Sequence, residues 1–335
     1  MLSGDLWPAH PHPLPGESLS CLIVRTAHAN GLKVQTFCDQ AFGKDFQIWN
    51  RDIDRNAPDW LLNIMSGKAG TPIKQIRNTT FRLYEKRLYP ILHTASHLRW
   101  VIPIKHRHRL NTGYAIQYCP QCLAEDETPY FRLAWCLALY TFCPKHRVMM
   151  ADRCLHCGAP VAFHRIELGK PKRSDVDTLD CCWQCDEKLS SIATQPVIIT
   201  PTLVDRRWTH ILQSIERQFY PAGALNYKNL ALLHQVCRLM GSKKYGYQLI
   251  QYVSKKGLYP LITVSVLSLA FEQRSVQERH YFLQFAFWLT THKRKIKTVI
   301  KNQIIPVNVL YRDSDSDLKK YVMNVLLGSF QDKNE

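Results

Sequence analysis

Between residues 119 and 185 the chain repeats one short pattern four times, and that pattern constrains the fold more than anything else in the sequence. Cys119-Pro-Gln-Cys122 is followed after twenty residues by Cys143-Pro-Lys-His146, and Cys154-Leu-His-Cys157 is followed after twenty-four by Cys182-Trp-Gln-Cys185. A two-residue spacer lets a tight turn aim both side chains at one ion, while the longer segment carries a second pair around to complete a tetrahedron. The spacing predicts two structural Zn2+ ions. Cys119, Cys122, Cys143 and His146 would hold one, and Cys154, Cys157, Cys182 and Cys185 the other. Each set counts four protein ligands, whereas a catalytic zinc keeps a position open for water, so both sites are expected to brace the chain and not to hydrolyse.

Twelve cysteines without a secretory signal imply reduced thiols, which favours metal ligation over a disulfide framework. Cys21, Cys38, Cys136 and Cys237 lack a partner at ligand spacing and read as small buried hydrophobes. Cys181 adjoins Cys182 and could replace it, although only Cys182 keeps the two-residue spacing to Cys185. His156 and His164 read as exposed and not ligating. Gly158 suits a left-handed turn behind Cys157, and Pro120 and Pro144 stiffen the loops.

Both flanks read as helical. Ser18 to Asn30 places Leu19, Leu22, Ile23 and Thr26 on one face and stops at Gly31. A second helix is expected over Val34 to Phe42, and a third begins at Asp59. After the turn SGKAG, Thr71 can cap a short helix with Pro72 in its first turn, so Lys74, Gln75, Arg77 and Asn78 would face outward in the manner of a helix-turn-helix. Beyond the cysteines, helices are expected at Leu203 to Phe219, Leu230 to Met240, Tyr245 to Ser254, Thr263 to Phe271, Ser275 to Thr290 and Asp317 to Leu327. The aromatics between Val276 and Trp288 fall on more than one face, which predicts burial on several sides.

The expected fold is mostly α. It comprises an N-terminal helical domain with a helix-turn-helix over 1–110, a tandem zinc-binding module over 111–195 and a C-terminal helical domain over 196–335.

Forty-four Lys and Arg against twenty-seven Asp and Glu give a formal charge of +17. Such an excess favours polyanionic partners, because each phosphate neutralised releases condensed counterions. The charge is clustered. Between Phe81 and Leu110 there are seven Lys or Arg, four His and one acid, interleaved with Tyr84, Tyr89 and Trp100. Lys105, Arg107 and Arg109 from this stretch are nucleic-acid-binding candidates, as are Lys293, Arg294, Lys295 and Lys297 from an acid-free cluster that also includes Lys301.

Other functions are disfavoured. There is no G-x-x-x-x-G-K-[ST] phosphate loop, so the chain is not expected to be an ATPase. Asp313, Asp315 and Asp317 sit together in one turn, where they read as caps of a following helix and not as a two-metal nuclease site. The longest apolar run, Leu261 to Phe271, is too short to cross a bilayer, so no membrane association is expected.

Laid in order, the motifs resemble the TniQ family, whose larger members include TnsD. The matching residues are Pro15-Gly16-Glu17-Ser18-Leu19, Arg25, Asn30-Gly31, Cys119-Pro-Gln-Cys122-Leu123, Asp126, Tyr130-Phe131-Arg132-Leu133, Trp135, Cys143-Pro-Lys-His146 and Cys154-Leu-His-Cys157-Gly158. The resemblance implies a non-enzymatic selector of transposition targets that recruits an AAA+ ATPase regulator of the TnsC kind. Members docked on a crRNA-guided effector such as Cascade often form a homodimer, whereas TnsD-like members bind attachment-site DNA themselves. The chain's length leans toward the first group. A bacterial cytoplasmic protein, at the nucleoid when engaged, is implied in both cases. A zinc-bearing transcription regulator is the further alternative.

Overall fold

The computed structural model describes residues 5–94, 97–103, 116–166, 168, 178–217, 226–255, 269–312 and 319–323. Among these residues the regular structure is helical, and extended backbone pairs only through isolated antiparallel bridges. Two compact units form. Residues 1–85 with 91–196 make the first, and residues 86–90 with 197–335 make the second.

In the first unit, α1 (Leu19–Ala29) is the central helix, with eight of its eleven residues buried. Ser18 caps it by accepting from Cys21 N. At its other end Gly31, at φ 66°, lets Gly31 N reach His28 O and Leu32 N reach Ala27 O, the paired bonds of a Schellman stop. Next comes α2 (Val34–Phe42), which ends at Gly43 as the sequence predicts. A one-turn α3 (Ile53–Asn56) delivers buried Asp54 to α1, where its carboxylate accepts from Ser20 N and Ser20 Oγ at 2.7 Å each.

Helices α4 (Asp59–Lys68) and α5 (Ile73–Asn78) pack against each other across a turn at Gly70. Thr71 is not the cap of α5. Pro72 occupies that position, and the Thr71 hydroxyl meets His12 Nδ1 at 2.7 Å and Ala69 O at 3.3 Å. Pro72 itself is extended, at φ −54° and ψ 134°, so the helix starts one residue later.

In the cysteine-rich part the one α-helix among the described residues is α6 (Pro120–Glu125), with Pro120 at its first position.

The second unit is built on α10 (Val276–Thr290), which packs against α7 (Thr202–Glu216), α8 (Tyr227–Met240) and α11 (Lys293–Lys301). A further helix, α9 (Gly246–Ser254), lies against α8. Eleven of the fifteen residues of α10 are buried, which is why its aromatics point all round. Trp208 stacks on His280 and Phe287 at 5.0 and 5.1 Å between ring centres.

Two buried polar side chains of this interior find partners. His234 meets Glu272 at 2.6 Å, and fully buried Arg279 donates to Arg274 O at 3.0 Å. The helices expected at 263–271 and 317–327 fall largely outside the described residues, as do Asp313, Asp315 and Asp317. Helix α11 was read from the sequence only as a charge cluster. Among the described residues no helix is long and apolar enough to cross a membrane.

Candidate metal centres

Two clusters form from the eight predicted ligands. In each, the ligand atoms all lie within 4.8 Å of one another. Three of the four pairs share one backbone device. Cys143 N donates to Val148 O while Arg147 N returns to Cys143 O. The same two bonds join Cys154 with Ala159 and Gly158, and Cys182 with Glu187 and Asp186. The fifth residue of each knuckle takes a left-handed backbone, Arg147 at φ 57°, Gly158 at 73° and Asp186 at 62°. Only one of the three is glycine, although an L side chain there costs about 1–2 kcal/mol. The fourth pair is different. Cys119 and Cys122 bracket the first turn of α6, so a helix, not a knuckle, aims them.

The spacings fit a tetrahedral ion. Zinc held by sulfur at about 2.3 Å and nitrogen at about 2.0 Å sets sulfur–sulfur edges of about 3.8 Å and sulfur–nitrogen edges of about 3.5 Å. In the first cluster Cys122 and Cys143 are 3.7 Å apart, and His146 Nδ1 lies 3.3, 3.4 and 3.6 Å from Cys119, Cys122 and Cys143. In the second, Cys154 to Cys185 is 3.7 Å and Cys157 to Cys182 is 3.6 Å. All twelve cysteines are free thiols, and a disulfide would need sulfurs about 2.05 Å apart. Thiols packed this closely bias one another's ionisation. Hydrogen bonds from Cys119 and Cys122 draw Cys143 far below the thiol range, while those to Cys119 and Cys143 push Cys122 far above it. Three sulfurs so close shed their protons together only with a cation between them.

The first cluster has a carboxylate behind its histidine. His146 Nε2 donates to Glu125 Oε2 at 2.9 Å, which leaves Nδ1 with the lone pair that points at the sulfurs. Lys145 also binds Glu125, at 2.5 Å, and the two partners hold this carboxyl below its usual range. Sequence reasoning missed Glu125. The only signal available was its place at the end of a helix that starts at a ligand.

The motif residues around this cluster lock it to the helical N-terminus. Buried Glu17 takes a bidentate grip from Arg25, at 2.7 and 2.8 Å, and accepts from Leu14 N. Ser18 N donates to Phe131 O, Leu133 N donates to Gly16 O, and the Tyr130 hydroxyl donates to Pro15 O. Arg132 grips Asp126 through two bonds of 2.7 and 3.0 Å and lies over the rings of Tyr130 and Trp135. Both carboxylates are consumed as anchors.

The second cluster is tied to the first by backbone. Tyr118 and Ala151 exchange bonds of 2.8 and 2.9 Å, and Met149 N donates to Gln195 O. Beside it, Arg165 lies over Trp183, whose Nε1 donates to Pro160 O at 2.9 Å. Cys182, not Cys181, enters the cluster. The Cys181 sulfur is instead 3.9 Å from the Thr178 hydroxyl. Cys21, Cys38, Cys136 and Cys237 are buried, and burial drives the Cys21, Cys136 and Cys237 thiols well above the ordinary range. His156 is exposed, and half-buried His164 stacks on Trp49 at 4.8 Å.

Of the nucleic-acid candidates, those on α5 belong to the first unit and those on α11 to the second. On α5, Lys74, Gln75 and Arg77 are exposed and Asn78 is half-buried, while Arg77 approaches Asp59 at 3.7 Å. Lys105, Arg107 and Arg109 lie outside the described residues. Tyr84, Tyr89 and Trp100, interleaved with that basic stretch, are core residues. On α11, Lys293 and Arg294 are exposed and Lys297 is half-buried. Lys295 folds back, donating to Trp288 O at 3.1 Å and Thr291 Oγ1 at 2.9 Å, with its ammonium 4.3 Å from the Trp288 ring centre. Burial lowers its pKa.

Comparison with known proteins adds one match. Residues 8–150 fit the family model TniQ. No curated protein matches the chain. The matched stretch takes in the whole first cluster and its Glu17 and Arg132 anchors, and it ends before Cys154.

Proposed function

We propose that the chain, whose residues 8–150 match the TniQ family model, takes part in selecting targets for DNA transposition as a non-enzymatic adaptor. In this reading it links a crRNA-guided effector such as Cascade to an AAA+ regulator of the TnsC kind. Two structural zinc ions hold the linking body rigid, the first on Cys119, Cys122, Cys143 and His146 and the second on Cys154, Cys157, Cys182 and Cys185.

The observation that carries the reading is the use made of the motif residues. Glu17 and Asp126 are neutralised by bidentate arginines, and each cluster offers four thiol or imidazole donors around one point. A general acid or base needs a carboxyl free to exchange a proton with substrate, and a catalytic metal needs an open position. Everything the motif supplies is spent on rigidity, which suits a scaffold.

Separate incubations test the adaptor role. Immobilised protein is expected to retain a crRNA-guided Cascade complex and, independently, the AAA+ regulator. Retention of neither would overturn it. The exposed outer side of α5, with Lys74, Gln75 and Arg77 and the adjoining Asn78, favours a second reading in which the protein reads attachment DNA directly. Sequence preference by the lone protein in a filter-binding assay, lost in Lys74→Gln/Arg77→Gln, would select that reading.

A further inference from the structure

Helix α11 breaks the rules that stabilise an isolated helix. Its first turn carries Lys293, Arg294 and Lys295 and no acid, and His292 makes no side-chain cap. Each cation there opposes the positive end of the helix dipole, at about 0.3–1 kcal/mol apiece. Local conflicts of this kind concentrate where a site serves something other than stability.

The positions say what is served. At about 100° per residue, Lys293, Lys297, Lys301 and Arg294 fall within about 100° of arc, on one face. Lys293, Lys297 and Lys301 follow one another about 6 Å apart along the axis. Lys293, Arg294 and Lys301 are exposed. The opposite face is committed to the protein interior, where Ile296 and Val299 are buried, and Lys295 is held over Trp288 away from the stripe. From the sequence Lys295 belonged with the outward charges and Lys301 was secondary; the structure exchanges them.

We infer that this stripe of α11 is a docking surface for the phosphodiester backbone of a nucleic acid, engaged without regard to base sequence. A basic amphipathic helix can also lie on an anionic membrane, but that mode inserts the apolar face into lipid, and here that face is already packed. The stripe carries ammonium and guanidinium groups and no aromatic, which supplies point charges for phosphates and nothing for stacking. The surface lies outside the residues matched by the family model and does not depend on the adaptor reading.

The salt dependence of binding counts the contacts. Fluorescence anisotropy with two labelled duplexes of unrelated sequence, read across a sodium chloride series, is compared for the full chain and for Lys293→Gln/Lys297→Gln/Lys301→Gln. Each phosphate contact adds about 0.9 to the slope of log affinity against log salt on duplex DNA and about 0.7 on single strands. The slope is expected to fall by about 2.7 on both duplexes, or by about 2.1 if only single strands bind, and the all-arginine triple variant is expected to restore it. Should the triple glutamine variant melt differently from the parent, Lys293→Gln and Lys301→Gln singly are each expected to lower the slope by about 0.9. An unchanged slope in a folded variant overturns the inference. So does a loss confined to one duplex, or binding to phosphatidylserine vesicles that the variant loses while duplex binding persists.

Discussion

The two cysteine clusters use the same ligand chemistry in different settings. In the first, Cys119 and Cys143 are wholly buried, a helix aims half of the ligands, and Glu125 orients the histidine. In the second, two knuckles supply all four ligands, and Cys157 and Cys185 stay half-exposed while Cys154 and Cys182 are buried. The first cluster is joined to α1 through Glu17, Phe131 and Arg132, whereas the second reaches the helical core at one remove, through backbone bridges to the first and through Phe163, which stacks on Phe131 at 4.6 Å. A metal site whose ligands are buried and helix-borne is expected to govern global folding. One built from two half-exposed knuckles governs local order.

The largest effect should separate them. Binding of a structural zinc is worth on the order of 10 kcal/mol, so Cys143→Ser is expected to abolish cooperative unfolding of the first unit. Cys185→Ser is expected to leave the helical circular-dichroism signal and a cooperative melt in place while halving the bound zinc. Equal damage from both would erase the distinction.

Next comes the anchor. Arg25→Met leaves Glu17 buried and unpaired, which should cost about 3–5 kcal/mol in denaturant titration. A loss under about 1 kcal/mol would mean that the N-terminal segment is not part of the first cluster's support. Glu125→Gln is expected to weaken zinc at the first cluster about 10- to 100-fold in chelator competition, with the second cluster unaffected.

The smallest effects sit in the knuckles. No atom lies within 4 Å of where a Cβ would stand at Gly158, so Gly158→Ala should cost about 1 kcal/mol through backbone conformation alone. Asp186→Gly should move stability the other way by a similar or smaller amount.

What the sequence disclosed follows the range of the forces involved. The ligand sets were legible because a two-residue spacer is local chemistry, and α1, α2 and α10 because a cap, a stop or a run of aromatics marks each. Helix α6 escaped because Cys119-Pro-Gln-Cys122 reads as a turn until Pro120 is seen to open a helix. Helix α11 escaped because neither end carries a recognisable cap and its charges oppose its dipole. Glu125 behind His146, and Lys295 over Trp288, are pairings that only the folded chain brings about. Tyr84 and Trp100 show the converse. Their place among basic residues suggested a nucleic-acid surface, yet both rings are in the core.

Metal content tests the central claim most directly. Native mass spectrometry of the purified chain, with elemental analysis alongside, is expected to show two zinc ions per protein, with twelve cysteines alkylated after denaturation in chelator, and one zinc ion in Cys185→Ser. A mass without metal, or cysteines recovered as disulfides, would contradict the account.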